Sequence, residues 1–144
     1  MKCRKIKIIL NDNMKRKLLI YMGGLLTIIW GIAHLFPTNN VVSGFGNISV
    51  DNIRIIKMEW INESLTLIFI GLLTIAVTLL NEMNHMVTKA VYVLTYLMLS
   101  AMSVLSLYTG FEIDFLPFKL CPIIFTVSGL LILQGAFYKT VNSN

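Results

Sequence analysis

The stretch Trp60–Leu80, WINESLTLIFIGLLTIAVTLL, decides the fold class of this chain, and Glu63 is its one charged residue. A helix of about 20 apolar residues crosses the ~30 Å hydrocarbon core of a bilayer. Three further stretches have the same length and apolar character: Leu18–Phe36, Val87–Tyr108 and Leu116–Tyr138. A chain of 144 residues could not bury four such segments in a soluble core. We therefore predict an all-α bundle of four transmembrane helices.

The composition agrees with a membrane protein. Hydrophobic residues form 56% of the chain and charged residues 13%, whereas soluble domains carry about 25% charged residues. The segments between the four spans are too short to form a second domain. We predict a single membrane domain over residues 1–144, in which helices satisfy the backbone hydrogen bonds internally.

The positive charge is concentrated before the first span. Seven of the twelve Lys and Arg residues lie there: Lys2, Arg4, Lys5, Lys7, Lys15, Arg16 and Lys17. Because cationic flanks stay on the cytoplasmic side, we predict that this basic tail, residues 1–17, lies inside, and four spans then return the C-terminus inside. We interpret the tail as a solvated orientation signal that also contacts anionic lipid headgroups, and not as a nucleic-acid site. Met14–Lys17 also resembles a translation start, which leaves Met1 and Met14 open as the first residue.

The cysteines and histidines follow no recognised motif. Cys3 and Cys121 are predicted at opposite ends of the bundle, which excludes a disulfide between them, and we interpret Cys121 as a small core residue. No HExxH, paired His or Cys cluster marks a metal site. His34, Glu59 and Glu63 could together supply three ligands, but no spacing rule selects them. We therefore predict no metal and no cofactor, apart from the quinone considered below.

Small residues in the first span indicate a packing face. Gly23, Thr27 and Gly31 recur every four residues, which places them on one side of a helix. Small residues at such spacing let a second helix approach closely. His34 ends this face near the outer surface, where it is either a hydrogen-bonded interface residue or a ligand.

Polar residues at the outer ends of the spans predict a pocket. Glu59 and Glu63 lie one turn apart, and Trp60 between them is typical of the interfacial aromatic belt. An acid below that level must be paired, protonated or exposed to water. Together with His34 and Lys119, the two acids predict a polar pocket open to the outside, if the four helices close in order. The alternative is that Glu63 pairs with a neighbour or extends to the headgroups.

The connections are short. Pro37–Asn40 is expected to end the first helix, and Val41–Asn47 to lie on the membrane surface. Asp51 and Asn52 are candidate N-caps of the second helix, which would enter the bilayer around Trp60.

Two stretches resemble the small DoxX-like membrane proteins of prokaryotes. They are Trp30–Pro37, WGIAHLFP, and Met58–Glu63, MEWINE. The resemblance implies four spans over the whole chain. Some members of the DoxX family are associated with quinone-linked sulfur oxidation. No family motif is present from which a catalytic residue could be assigned.

Three functions remain open from the sequence. The first is a small multi-pass protein of a prokaryotic cell membrane that acts as a subunit or binding module, alone or in a homo- or hetero-oligomer. The second is a redox component in which His34 hydrogen-bonds a quinone oxygen and Glu63 passes a proton. The third is a small proton-coupled transporter in which Glu63 alternates between proton and substrate. No set of catalytic residues indicates an enzyme.

Overall fold

The fold, taken from a computed structural model, consists of helices joined by short loops, with no strand among the described residues, 2–110 and 112–138; side chains are described from residue 12 onward. The helices in chain order are α1 (Lys2–Leu35), α2 (Thr38–Ser43), α3 (Val50–Leu80), α4 (Met86–Gly110) and α5 (Leu116–Phe137). Asp12–Leu35 of α1 and the whole of α3, α4 and α5 are long and apolar enough to cross a membrane. The predicted all-α fold with four spans is thereby confirmed.

The two ends of the bundle are named here after buried residues. The Arg16 end holds the start of the first span, the α3–α4 turn and the end of α5, whereas the His34 end holds α2, the α4–α5 turn and the end of α1. That the Arg16 end lies inside stays a prediction. Met1, the side chains of the tail cations Lys2, Arg4, Lys5 and Lys7, and the Cys3 thiol lie outside the described part.

Close backbone contact joins α1 to α3. A Cβ on Gly31 would lie 2.9 Å from the Ser64 carbonyl oxygen, and one on Gly71 would lie 2.6 Å from the Gly24 carbonyl oxygen. Real Cβ atoms do not come this close to a backbone oxygen, so glycine permits the crossing at both points. Small residues of this kind are what lets helices associate in lipid, where no hydrophobic driving force acts between them.

The other side of α1 packs on α5. A Cβ on Gly23 would lie 2.8 Å from the Ser128 carbonyl oxygen, and buried Thr27 donates a hydrogen bond to the Gly23 carbonyl at 2.8 Å. Gly23 therefore faces α5, whereas Gly31 faces α3. Each step of four residues turns about 40° around a helix, so two such steps carry the small residues from one neighbour to the next.

The ring of helices is open on one side. α1 packs on α3 and α5, and α5 packs on α4, but α3 and α4 make few contacts with each other. They meet near their connecting turn, where the Thr78 and Tyr92 hydroxyls are 2.9 Å apart. Toward the His34 end a cavity of about 530 Å³ separates them. The expectation that the four spans close in order is therefore wrong for this pair.

Two helix starts differ from the expected ones. Thr38–Ser43 forms the short helix α2, in which Val41 and Val42 are buried. Helix α3 begins at Val50, because the Ser49 hydroxyl accepts a hydrogen bond from the Asn52 backbone N–H at 3.2 Å and acts as the N-cap. The candidate caps Asp51 and Asn52 lie in the first turn instead.

Arg16 departs from the solvated role predicted for the basic tail. Its side chain is buried and donates to the carbonyl oxygens of Gly135 and Ala136, at 3.2 and 3.1 Å, and to Asn84 Oδ1 at 3.2 Å. The last carbonyls of a helix have no partner within it, and a cation is favourable there. Arg16 thus completes the end of α5 and joins it to α1 and the α3–α4 turn.

Candidate binding cleft

Three helices bring His34, Glu63 and Cys121 together at the His34 end. The His34 Nε2 atom lies 3.4 Å from Cys121 Sγ and 4.0 Å from Glu63 Oε1. The three potential donor atoms all lie within 4.8 Å of one another. His34 and Cys121 are buried, and Glu63 is half-buried. We refer to these residues as the His–Glu–Cys cluster.

Neighbouring groups hold the His34 ring in one orientation. Nδ1 lies 3.1 Å from the Trp30 carbonyl oxygen one turn earlier. Because a carbonyl only accepts hydrogen bonds, Nδ1 carries a proton, and Nε2 points toward the cluster. Trp60 stacks on the ring at a centroid distance of 4.9 Å, and Trp30 meets it edge-on at 5.1 Å. The Trp60 indole N–H also donates to the His34 carbonyl oxygen.

The cavity between α3 and α4, which we call the cleft, has Glu63 and Cys121 in its wall. Most of its lining is apolar, including Val41, Phe45, Ile55, Met98, Met102 and Leu105. A smaller set of polar side chains faces it from α3 and α4: Glu59, Asn62, Thr66, Ser106 and Thr109. Apolar walls with a few polar groups are typical of sites for small molecules.

The four residues of the predicted pocket have different positions. Glu63 lines the cleft with His34 behind it, and Glu59, which is exposed, also lines the cleft. Lys119 instead pairs with Asp114 in the α4–α5 turn, where Nζ and Oδ1 are 2.7 Å apart. This hydrogen bond and the positive charge hold the pKa of the Asp114 carboxyl below its usual range.

Sequence reasoning missed the part played by Cys121 and Trp60. Cys121 is 87 positions from His34, and motif spacing describes ligands on one helix, not on three. The sequence offers one indication that Cys121 belongs to the site: like His34 and Glu63, it is predicted near the outer end of its span. Trp60 is buried and stacks on His34, a contact that its interpretation as an interfacial residue did not include.

Together, the fold and the site define a helical membrane protein with a cleft between two spans and a His–Glu–Cys cluster in its wall. Comparison with family models, curated proteins and solved structures gives no match for this chain. The resemblance to DoxX-like proteins stays a prediction.

Proposed function

We propose that this protein is a binding module of the membrane whose cleft takes up an amphiphilic molecule from the bilayer. The observation that carries this proposal is the separation of α3 from α4 at the His34 end. A gap between two neighbouring spans faces lipid, so an apolar molecule reaches it without crossing water. The sequence predicts a polar pocket open to the outside, and the gap adds a route from the lipid.

The lining favours an isoprenoid quinone as the occupant. The cleft of about 530 Å³ lies within the roughly 300–1,000 Å³ range of small-molecule sites. Its methionine, leucine and isoleucine side chains suit a ring and the start of a prenyl chain. The Asn62 amide supplies a hydrogen-bond donor for a ring carbonyl oxygen.

The geometry favours the proton-carrying role first considered for Glu63 but a different role for His34. Glu63 is in the wall of the cleft, so it is the acid that exchanges a proton with a bound quinol or quinone. His34 lies behind it, with Nε2 4.0 Å from Glu63 Oε1. It is therefore a positioning residue and not a direct quinone contact.

Packing beneath the cleft favours binding over transport. Leu67, Leu99 and Phe125 lie about one turn further toward the Arg16 end and are fully buried in one hydrophobic cluster. A polar solute would have to separate these side chains to pass through the bundle. A ligand held above them needs no such movement.

Tryptophan fluorescence tests the proposal, because Trp30 and Trp60 are the only two tryptophans and both contact His34. A short-chain quinone titrated into the full-length protein in nanodiscs is expected to quench both in a saturable manner. Ser106→Phe, which fills the cleft, is expected to weaken binding about tenfold or more. Val104→Phe, on an exposed position of the same helix, is the matched control.

Two results would count against quinone binding. One is quenching that rises linearly with quinone and is equal in all three proteins, since this is collision within the bilayer. The other is saturable quenching that Ser106→Phe leaves unchanged. Mass spectrometry of co-purified lipids distinguishes a quinone from a phospholipid as the occupant. A retained phospholipid without quinone would assign the cleft to phospholipid.

A further inference from the structure

We propose that the His–Glu–Cys cluster binds one divalent transition-metal ion, with zinc the best match. This goes beyond the quinone proposal and stands without it. Imidazole nitrogen, thiolate sulfur and carboxylate oxygen are the three donor types that zinc takes in proteins. His34, Glu63 and Cys121 offer one of each, from α1, α3 and α5.

The distance between the His34 and Cys121 donor atoms fits such an ion closely. Bonds of about 2.1 Å to nitrogen and about 2.3 Å to sulfur at a tetrahedral centre place the two donors about 3.6 Å apart. The Nε2 and Sγ atoms are 3.4 Å apart. The Nε2–Oε1 distance is 4.0 Å and all three donors lie within 4.8 Å of one another, so the Glu63 carboxylate has to move toward the other two donors by about half to one ångström to reach a bond length of ~2.1 Å. Its side chain is half-buried at the cleft wall and has room to do so.

The surroundings of His34 match those of a metal ligand. A ligating histidine usually donates its other ring N–H to a carbonyl or carboxylate, which sets the tautomer. Here the Trp30 carbonyl accepts from Nδ1 at 3.1 Å and leaves Nε2 directed at the other two donors. Trp60 and Trp30 cover the ring, so the nitrogen is positioned before an ion arrives.

Charge balance favours a divalent ion within the membrane. A thiolate and a carboxylate carry two negative charges that cancel those of the ion, and the imidazole is neutral. A neutral site avoids the large penalty for an isolated charge in a low-dielectric interior. Binding displaces the thiol proton of Cys121, which leaves to water, and forms the metal–sulfur bond in its place.

Three protein ligands leave one position open. This arrangement is typical of zinc sites that bind water or substrate, whereas structural sites use four protein ligands. Glu63 and Cys121 both line the cleft, so the open position faces it. A molecule with an oxygen or sulfur donor could therefore reach the ion from the cleft.

Cobalt(II) provides a direct test, because it enters zinc sites and a cobalt–thiolate bond has a charge-transfer absorption in the near ultraviolet. The full-length protein, reduced and freed of metal in detergent micelles, is titrated with Co²⁺ alone. We expect this band to saturate at one equivalent and to disappear when Zn²⁺ is added. Cys121→Ser should abolish it, and Cys3→Ser, at the other cysteine of the chain, should retain it.

The variants also separate metal binding from folding. Cys121→Ser changes one atom, and Glu63→Gln keeps the shape of the side chain, so both should unfold at the temperature of the metal-free wild type. Loss of a group that merely supports a metal ligand weakens binding about 10–100-fold, so we expect at least a tenfold loss of Co²⁺ affinity for Glu63→Gln, which removes a direct ligand. His34→Ala removes the ring between two tryptophans and can unfold the site, so the test rests on the other variants. Absence of the band, or a band that survives Cys121→Ser, would overturn the proposal.

Discussion

At the scale of single residues, the two ends of the bundle use buried polar groups in different ways. At one end, the Arg16 guanidinium satisfies carbonyls of α5 and the side chain of Asn84. At the other, the Nε2 atom of buried His34 faces Glu63 and Cys121. The Arg16 contacts complete a helix end, whereas the His34 contacts leave donor atoms available for a ligand.

Arg16→Lys is expected to destabilise the protein by about 1–3 kcal/mol, although the charge is kept. A lysine ammonium lacks the planar fork with which Arg16 reaches two carbonyls and Asn84 at once. Thermal unfolding in detergent, followed by circular dichroism, measures the loss. Lys15→Gln, at the exposed neighbouring cation, should change the midpoint little. If Arg16→Lys changed the midpoint as little as Lys15→Gln does, Arg16 would contribute only its charge.

At the scale of helices, the path of α1 between α3 and α5 depends on glycines at the crossing points. Gly31 and Gly71 mark the contact with α3, and Gly23 and Gly135 mark the contact with α5. Since lipid provides no hydrophobic drive for pairing, close approach of the backbones supplies much of the attraction. These positions should tolerate a methyl group poorly.

Gly71→Ala is expected to cost about 1–3 kcal/mol through overpacking, because the new Cβ would lie 2.6 Å from the Gly24 carbonyl oxygen. Gly129→Ala is the matched control in α5. There the nearest atom is a ring carbon of Tyr96 at 3.3 Å, and a side chain can shift where a backbone cannot. Unfolding midpoints of the two variants should differ clearly, and similar midpoints would contradict the assigned crossing.

The helices were predictable from the sequence because length and apolar content alone define a span. Which helices pack against each other was less predictable. The spacing of Gly23 and Gly31 indicates small faces but not which helix each face meets. The candidate site was half predictable for a related reason: His34 and Glu63 stand out as polar residues in apolar spans, whereas Cys121 looks like any small buried residue until α5 is placed beside α1.

At the scale of the whole molecule, the four spans form a ring that is open between α3 and α4. The α3–α4 turn is too short to hold the helices apart along their length, and they meet at Thr78 and Tyr92. The opening therefore widens toward the His34 end, where the cleft lies. The sequence pattern of a single helix does not predict such a gap. The gap depends on the packing of α1 on α3, of α1 on α5 and of α5 on α4, which together set the positions of α3 and α4.

Brominated phospholipids test whether lipid reaches the cleft. In a Trp30→Phe background, Trp60 is the one remaining tryptophan and lines the cleft. Bromine on the acyl chains is expected to quench it strongly, and adding Ser106→Phe should reduce the quenching by about half or more. Val104→Phe serves again as the control. Quenching that is the same with and without Ser106→Phe would show that the cleft is closed to acyl chains.

The unequal contacts of the helices also bear on biosynthesis. Helices α1 and α3 emerge from the ribosome in succession and can pair at once through their glycines. Helix α4 follows but has little contact with α3, and its main partner, α5, is synthesised last. Until α5 is synthesised, α4 is therefore in the membrane with few contacts to other helices. A nascent chain interrupted before residue 116 would present this helix to lipid, where membrane quality control could recognise it.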